Sequence, residues 1–248
     1  MSDEKDLSIG SAIAADRQGK PQFVHLPDLT PYQAAVARMQ AAHEAIRLGQ
    51  AAEQIFMLSH PSVYTAGTSA KPEEMLAADA VRAAGAEIIE TGRGGEWTWH
   101  GPGQRVVWPV LRLDKRGQDI RAYVHALEGW VIDVLGCFGV LGCRRDGLPG
   151  VWVARGDIGL PERLDKIAAL GVRVSKWTSQ HGFALNLDPD LSAYEAIIPC
   201  GVTDGGVTSL ADLGLMVSEA ELDMAIEDCF GMHFGAHSKL GWHEIAAN

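Results

Sequence analysis

Twelve residues, Arg93 to Gln104, constrain this chain more than any other stretch: Arg-Gly-Gly-Glu-Trp-Thr-Trp-His-Gly-Pro-Gly-Gln. They hold four glycines and two tryptophans. Glycine removes side chain so that backbone can approach another group closely. Tryptophan supplies large, rigid apolar walls. The combination predicts a cleft in which backbone N–H groups face a ligand beside a hydrophobic slot. Gly101-Pro102-Gly103 predicts a turn, and Arg105 to Leu111 then reads as a strand. The run is not a phosphate-binding P-loop, because no Gly-Lys-Ser/Thr follows. It is not a dinucleotide fingerprint either, because no helix begins there.

The elements around the run read as separated helices and antiparallel-looking strands, which argues for an α+β class rather than repeating βαβ units. Residues 31–48 predict an amphipathic helix capped by Thr30, with Tyr32, Val36, Met39, His43 and Ile46 on one face. Gln54 to Leu58, Val63 to Gly67 and Glu87 to Glu90 read as strands, and Glu73 to Ala84 as a helix. A long helix is expected over about 119–137 and a short strand at Gly150 to Val153. Lys166 to Leu170, Val172 to Ser175 and Gly182 to Leu187 read as strands joined by tight turns. Ser218 opens a last helix, with Glu221 as its capping-box partner.

Length places the chain at the upper edge of one domain, or at two small ones. The chain has 248 residues, 47% of them hydrophobic, enough for a core and unlike a disordered chain. The expected organisation is a flexible tail over residues 1–20 and a single domain over 21–248. No apolar run reaches the roughly 20 residues that span a bilayer. The polar, acidic N-terminus lacks a signal pattern, so a cytoplasmic location is expected. The net charge of −11 argues against nucleic acid as a partner. Residues 105–121 run against this trend, with five basic and two acidic residues, a local excess of +3. They read either as a docking surface for acidic partners or as a solvated loop.

Four cysteines are present, none in a Cys-x-x-Cys pair, so zinc-site spacing is absent. Cys137 and Cys229 lie in apolar helical contexts and read as small buried hydrophobes. Cys200 differs, because Pro199 and Gly201 place it in a loop where a thiol is presented rather than packed. His233, His237 and His243 form a loose C-terminal cluster without the glutamate of a zinc-protease motif, and read as a solvated tail. No metal or cofactor is expected.

The Arg93 run resembles the signature of the bacterial lipoyl(octanoyl) transferases: Arg-Gly-Gly, two free positions, Thr, an aromatic, His, then Gly-Pro-Gly-Gln. Two further segments match in the family's order. Lys166-Ile-Ala-Ala-Leu-Gly-Val-Arg173 leads into His181-Gly-Phe-Ala-Leu-Asn186. Ile198-Pro-Cys-Gly201 leads into Asp204 and Val207-Thr-Ser-Leu210. The likeness extends from about Leu29 to about Gly231. Trp108 departs from it, standing where the family usually has tyrosine.

The resemblance implies a biotin/lipoate protein ligase-like fold, a mixed sheet core with outer helices. It implies an enzyme that moves an octanoyl group from octanoyl-acyl carrier protein to a lysine of lipoyl domains. The acceptors would be the E2 subunits of 2-oxoacid dehydrogenases and the glycine cleavage H protein. Cys200 is the implied nucleophile, carrying the acyl group as a thioester. Lys166 is the implied base. A free lysine is protonated at neutral pH, so such a base needs an apolar setting that favours its neutral form; Ile167 to Leu170 could provide one.

His100 and His181 are expected to line the acyl site or to position the thiol. The Gly182 N–H, with an N–H of Gly94-Gly95, is the candidate oxyanion donor. Arg93, Thr98, Gly101 and Ala184 complete the expected substrate-binding set; Arg93 reads equally as a structural ion pair. Two alternatives stay open. One is an ATP-dependent lipoate or biotin ligase on the same fold, which needs no cysteine at 200. The other is a non-catalytic acyl-binding relative.

Overall fold

The structure is a computed structural model that describes residues 20–198 and 205–235. Residues 1–19, Cys200 and its neighbours in 199–204, and His237 and His243 lie outside the described residues. Among the described residues, ten strands form two sheets. The larger sheet has seven strands in the order β1 (Gln22–Leu29), β2 (Gln54–Ser59), β6 (Gln104–Val110), β10 (Thr178–Asn186), β9 (Leu160–Ser175), β8 (Leu148–Arg155), β7 (Gly142–Arg145). β1 and β2 run parallel, joined through helix α1 (Tyr32–Arg47), and every other pair is antiparallel. The smaller sheet is β4 (Glu87–Glu90), β3 (Val63–Ala66) and β5 (Trp97–His100).

Side chains alternate across a strand, and here both sides of the large sheet are covered. Ile55 and Met57 on β2, Val107 on β6, and Phe183 and Leu185 on β10 enter one core cluster. The helices α3 (Ile120–Gly136) and α4 (Glu219–Phe234) close it, with Trp130 edge-on to Phe183 and Phe230. Phe56, Leu58, Val106, Trp108 and Ala184 point the other way, onto Tyr32, Met39 and Ile46 of α1. Burial on both faces explains why β2 and β6 are continuous apolar runs instead of alternating patterns. Asp119 caps α3 through the backbone N–H groups of Arg121 and Ala122, and Ser218 with Glu221 forms the expected capping box of α4.

Several sequence expectations give way to tertiary contacts. The helix expected over 73–84 is a 3₁₀ turn, Pro72–Glu74, followed by a short α2, Ala78–Ala83. Between them Met75 bridges Ile197, and the Leu76 N–H donates to Ala196 O. Pairing with a distant segment therefore outcompetes helix propagation. Gly171 makes no turn, since β9 runs unbroken past it and pairs Gly171 with Gly182. Its missing side chain instead allows the Gly94 carbonyl to come close. β7 has no apolar signature and shows only through its pairing with β8. Pro31, not Thr30, holds the cap position of α1, and no side chain caps that helix. Cys137 is exposed; only Cys229 is buried as expected, with the two sulfurs 3.7 Å apart.

The basic segment over 105–121 does not present its charges together. Arg105 is buried and pairs with Asp223 and Glu219 of α4. Arg116 pairs with Glu53, and Arg112 with Asp114. Carboxylates from other parts of the chain cancel the local excess. His233 is likewise engaged, with Nε2 2.6 Å from an Asp133 carboxylate oxygen. Among the described residues no helix is long and apolar enough to cross a membrane.

Candidate active site

The two sheets meet along a cleft. Its walls are Trp97, Thr98 and His100 of β5, Trp108 of β6, Ala169, Leu170 and Gly171 of β9, and His181, Gly182 and Phe183 of β10. Tyr32 of α1 and the loop residues Arg93, Gly95 and Glu96 complete it. The empty space, with its open mouth, is about 470 Å³, within the range of small-ligand sites.

The glycine-rich run does more than line the cleft. Arg93 is buried, and its guanidinium donates to Thr65 O at 2.7 Å, Thr65 Oγ1 at 2.8 Å, Glu96 O at 3.0 Å and Gly94 O at 3.0 Å. It staples the loop to β3. The Gly94 N–H donates to Val172 O at 2.9 Å, which ties the same loop to β9. Arg93 fixes the loop on the small sheet while the Gly94 N–H ties it to the large one, and a planar fork of donors suits the first role better than a lysine would. The turn expected at Gly101-Pro102-Gly103 is present, with the Gln104 N–H returning to Gly101 O.

Three histidines converge on one aromatic cluster. His60 and His100 lie 5.6 Å apart between ring centroids, and Tyr32 lies 5.1 Å from His60. Trp108 contacts His60 at 5.5 Å, Tyr32 at 5.7 Å and His181 at 5.2 Å, so the tryptophan in place of tyrosine forms a wall against these three. His100 Nδ1 is 2.7 Å from Gln104 Oε1, and Gln104 Nε2 donates on to Asn186 and Tyr194. His60 Nε2 and His181 Nδ1 are buried with no hydrogen-bond partner among the described residues. His181 also holds a positive φ of 58°, uncommon for a residue with a Cβ.

Burial keeps all three imidazoles neutral. It pushes His60 down to about 4. His181 falls to about 4 by burial and, secondarily, by the Arg93 charge. His100 lies well below its usual value for the same first reason, reinforced by His60. Imidazoles held below their usual value are weak bases toward a thiol or an ammonium, in keeping with a lining or positioning role. A stability prediction follows. The unfolded chain binds the His60 and His181 protons near pH 6.5 and the folded chain only near pH 4, so their contribution to stability is full above this window and is lost as pH falls through it. His60 and His181 should each cost about 3 kcal/mol across it. Denaturant unfolding at stepped pH should show His60→Asn flattening the acid limb relative to the parent; parallel curves would refute the assignment.

Lys166 sits on the strand that walls the cleft but is not itself in the lining; Ala169 follows three residues on, about 10 Å along the strand. It is buried, and Nζ donates to Pro149 O at 3.3 Å and lies 4.6 Å from the centroid of the Trp152 ring. A β-bulge positions it. Val151 pairs with Ala168 and Trp152 with Lys166, so Ile167 is the extra residue. Bulges of this kind re-aim side chains beside active sites.

Among the other expected site residues, Arg93, Gly95, Thr98, His100, His181 and Gly182 reach the cleft together. Gly94 is tied to β9, Gly101 lies against the Trp99 ring, and Ala184 packs in the α1-side core. The sequence places Tyr32 only on a helix face and gives no site role to Tyr32 or His60. The only signal was a histidine before Pro61 at the end of an apolar strand, forty positions from His100.

Residues 31–231 match the family model for the lipoyl protein ligase A/B catalytic domain. The chain belongs to that family. It is 50% identical to the octanoyltransferase of Cereibacter sphaeroides (strain ATCC 17029 / ATH 2.4.9) over 213 residues, covering 84% of this chain and 95% of that protein. It is 48% identical to the octanoyltransferase of Paracoccus denitrificans over 217 residues, covering 86% and 97%. At this likeness it is an acyltransferase of the octanoyltransferase group. A bipartite lipoate protein ligase from Thermoplasma acidophilum superposes with a TM-score of 0.66 at 18% identity, covering 92% and 91% of the two chains. The Aquifex aeolicus biotin protein ligase gives 0.52 at 9%, covering 91% and 74%. These two establish the expected α+β, ligase-like fold.

Proposed function

We propose that this chain moves an octanoyl group from octanoyl-acyl carrier protein to a lysine of lipoyl domains through a thioester on Cys200, with Lys166 as the base. The observation that carries the mechanism is the placement of Lys166: an interior lysine, aimed by a bulge, on the strand that also walls an apolar cleft. In the first half the Cys200 thiol gives its proton to Lys166 and the thiolate attacks the donor's thioester carbonyl. The carrier's thiolate leaves and takes that proton from Lys166, so one thioester replaces another at little cost and the lysine is neutral again. In the second half an acceptor lysine amine attacks the Cys200 thioester. An amide forms, the Cys200 thiolate leaves, and the amine's proton passes to Lys166, which returns it to the Cys200 thiolate.

The other residues take supporting roles in this proposal. The acyl chain lies along Trp97, Trp108 and Leu170, with Thr98, His100 and His181 around it. The Gly182 N–H faces the developing oxyanion, joined by Gly95 of the stapled loop. Gly94, Gly101 and Ala184 act through close packing. The acceptors are the lipoyl domains of 2-oxoacid dehydrogenase E2 subunits and the glycine cleavage H protein. The cytoplasm is the compartment proposed, because there a nucleophilic thiol stays reduced.

The donor thioester is already activated, so the reaction has no need of nucleotide. Transfer from octanoyl-acyl carrier protein should proceed at the same rate after exhaustive removal of ATP and magnesium. If product formed only with ATP and free octanoate or lipoate, the chain would be a ligase.

A further inference from the structure

Asp165, the residue before Lys166, is the centre of a buried ionic network. Its side chain is 1% exposed. Oδ2 accepts from Arg155 Nη1 at 2.9 Å, and Oδ1 accepts from Arg163 Nε and from the backbone N–H of Gly206, both at 2.7 Å. Arg155 is 6% exposed, binds Asp157 as well, and reaches Asp212 Oδ2 at 2.9 Å. That same Asp212 oxygen accepts the Thr208 hydroxyl at 2.7 Å. Between these two anchors the Lys166 N–H donates to Gly206 O at 2.9 Å, and the Thr208 N–H donates to Lys166 O at 3.0 Å.

Residues 206–208 thus lie parallel to β9 at Lys166 alone. Two backbone bonds do little to specify register, and a slip of one residue would turn every side chain to the other face. Buried ion pairs seldom add net stability; fixing a register is their best-attested use. Gly206 fits that use, because a Cβ there would lie 3.0 Å from Asp165 Oδ1 and would displace the Arg163 guanidinium from its place beside it. The network therefore locks one alignment of this segment against Lys166.

We propose that Asp165 is a positioning residue for acyl transfer. With Arg155 it fixes Gly206 and Thr208 against the backbone of Lys166, and so holds the base in place on β9. The inference rests on the roles of Cys200 and Lys166 proposed above.

A double-mutant cycle tests it, read as single-turnover transfer from octanoyl-acyl carrier protein to a lipoyl domain. Asp165→Asn should lower the rate roughly 10- to 100-fold, the scale of a misplacement near 1 Å. The KM for octanoyl-acyl carrier protein should stay within about threefold, because Asp165 lies away from the cleft. In a Lys166→Ala background the same substitution should change the rate by less than about twofold, since the group it positions is gone. An undiminished loss in that background, or a rise in KM at unchanged turnover, overturns the proposal. If Asp165→Asn does not fold, Gly206→Ala and Arg155→Lys disturb the same contacts, and the same cycle decides. Wild-type rates in Cys200→Ser or Lys166→Ala would instead overturn the catalytic reading, and this proposal with it.

Discussion

Replacing Cys200 with serine is expected to abolish the octanoyl adduct and to reduce transfer by roughly a thousandfold or more, the scale on which enzymes lose a covalent nucleophile. A hydroxyl is a far weaker nucleophile than a thiol near neutral pH, and a lysine base has no means of closing that gap. Intact-protein mass spectrometry after incubation with octanoyl-acyl carrier protein reads the adduct directly, and peptide mapping locates it. Cys137→Ser and Cys229→Ser serve as comparisons. Cys229 is buried, with its thiol pushed up to about 12 by burial and by the neighbouring Cys137, and neither residue lines the cleft. Both variants should keep most of their turnover. Wild-type transfer in Cys200→Ser would end the thioester mechanism, whatever the family membership.

Lys166→Ala should slow both acylation and transfer by roughly 10²- to 10⁴-fold, the usual range for a general base. Lys166→Arg is the sharper experiment. Arginine keeps the positive charge and can still stack on Trp152, but its guanidinium stays protonated and accepts no proton. It should therefore fail to restore either half-reaction. Measuring adduct formation and adduct discharge separately would show whether both halves depend on the lysine. An arginine variant near the parent rate would mean that Lys166 contributes charge or packing and moves no proton.

Part of this site was legible because local chemistry requires particular residue types. Gly94 and Gly95 come within hydrogen-bonding distance of the backbone at Val172 and Ser69, Ser218 with Glu221 caps a helix, and the apolar run at 54–59 is buried on both faces. Arg93 shows the boundary. Sequence offered a ligand contact or an ion pair; the structure places Arg93 in the cleft wall and shows a further role, with donors directed to Thr65 and to loop carbonyls. The excess of charge over 105–121 was real as a count but not as a surface, because Asp223, Glu219 and Glu53 arrive from distant positions.

By itself the sequence determined the α+β class, most of the strand and helix spans, the family, and the residues proposed to react. Those follow from periodicity, caps and short motifs, which act within a few residues. Only the tertiary structure decided that His60 joins His100 and His181 in a neutral cluster, that Ile167 bulges to aim Lys166, and that Gly171 lies inside a strand. It alone shows the Arg155–Asp165 network gripping Gly206. Each of these depends on contacts between residues far apart in the chain, whose energies no local pattern records.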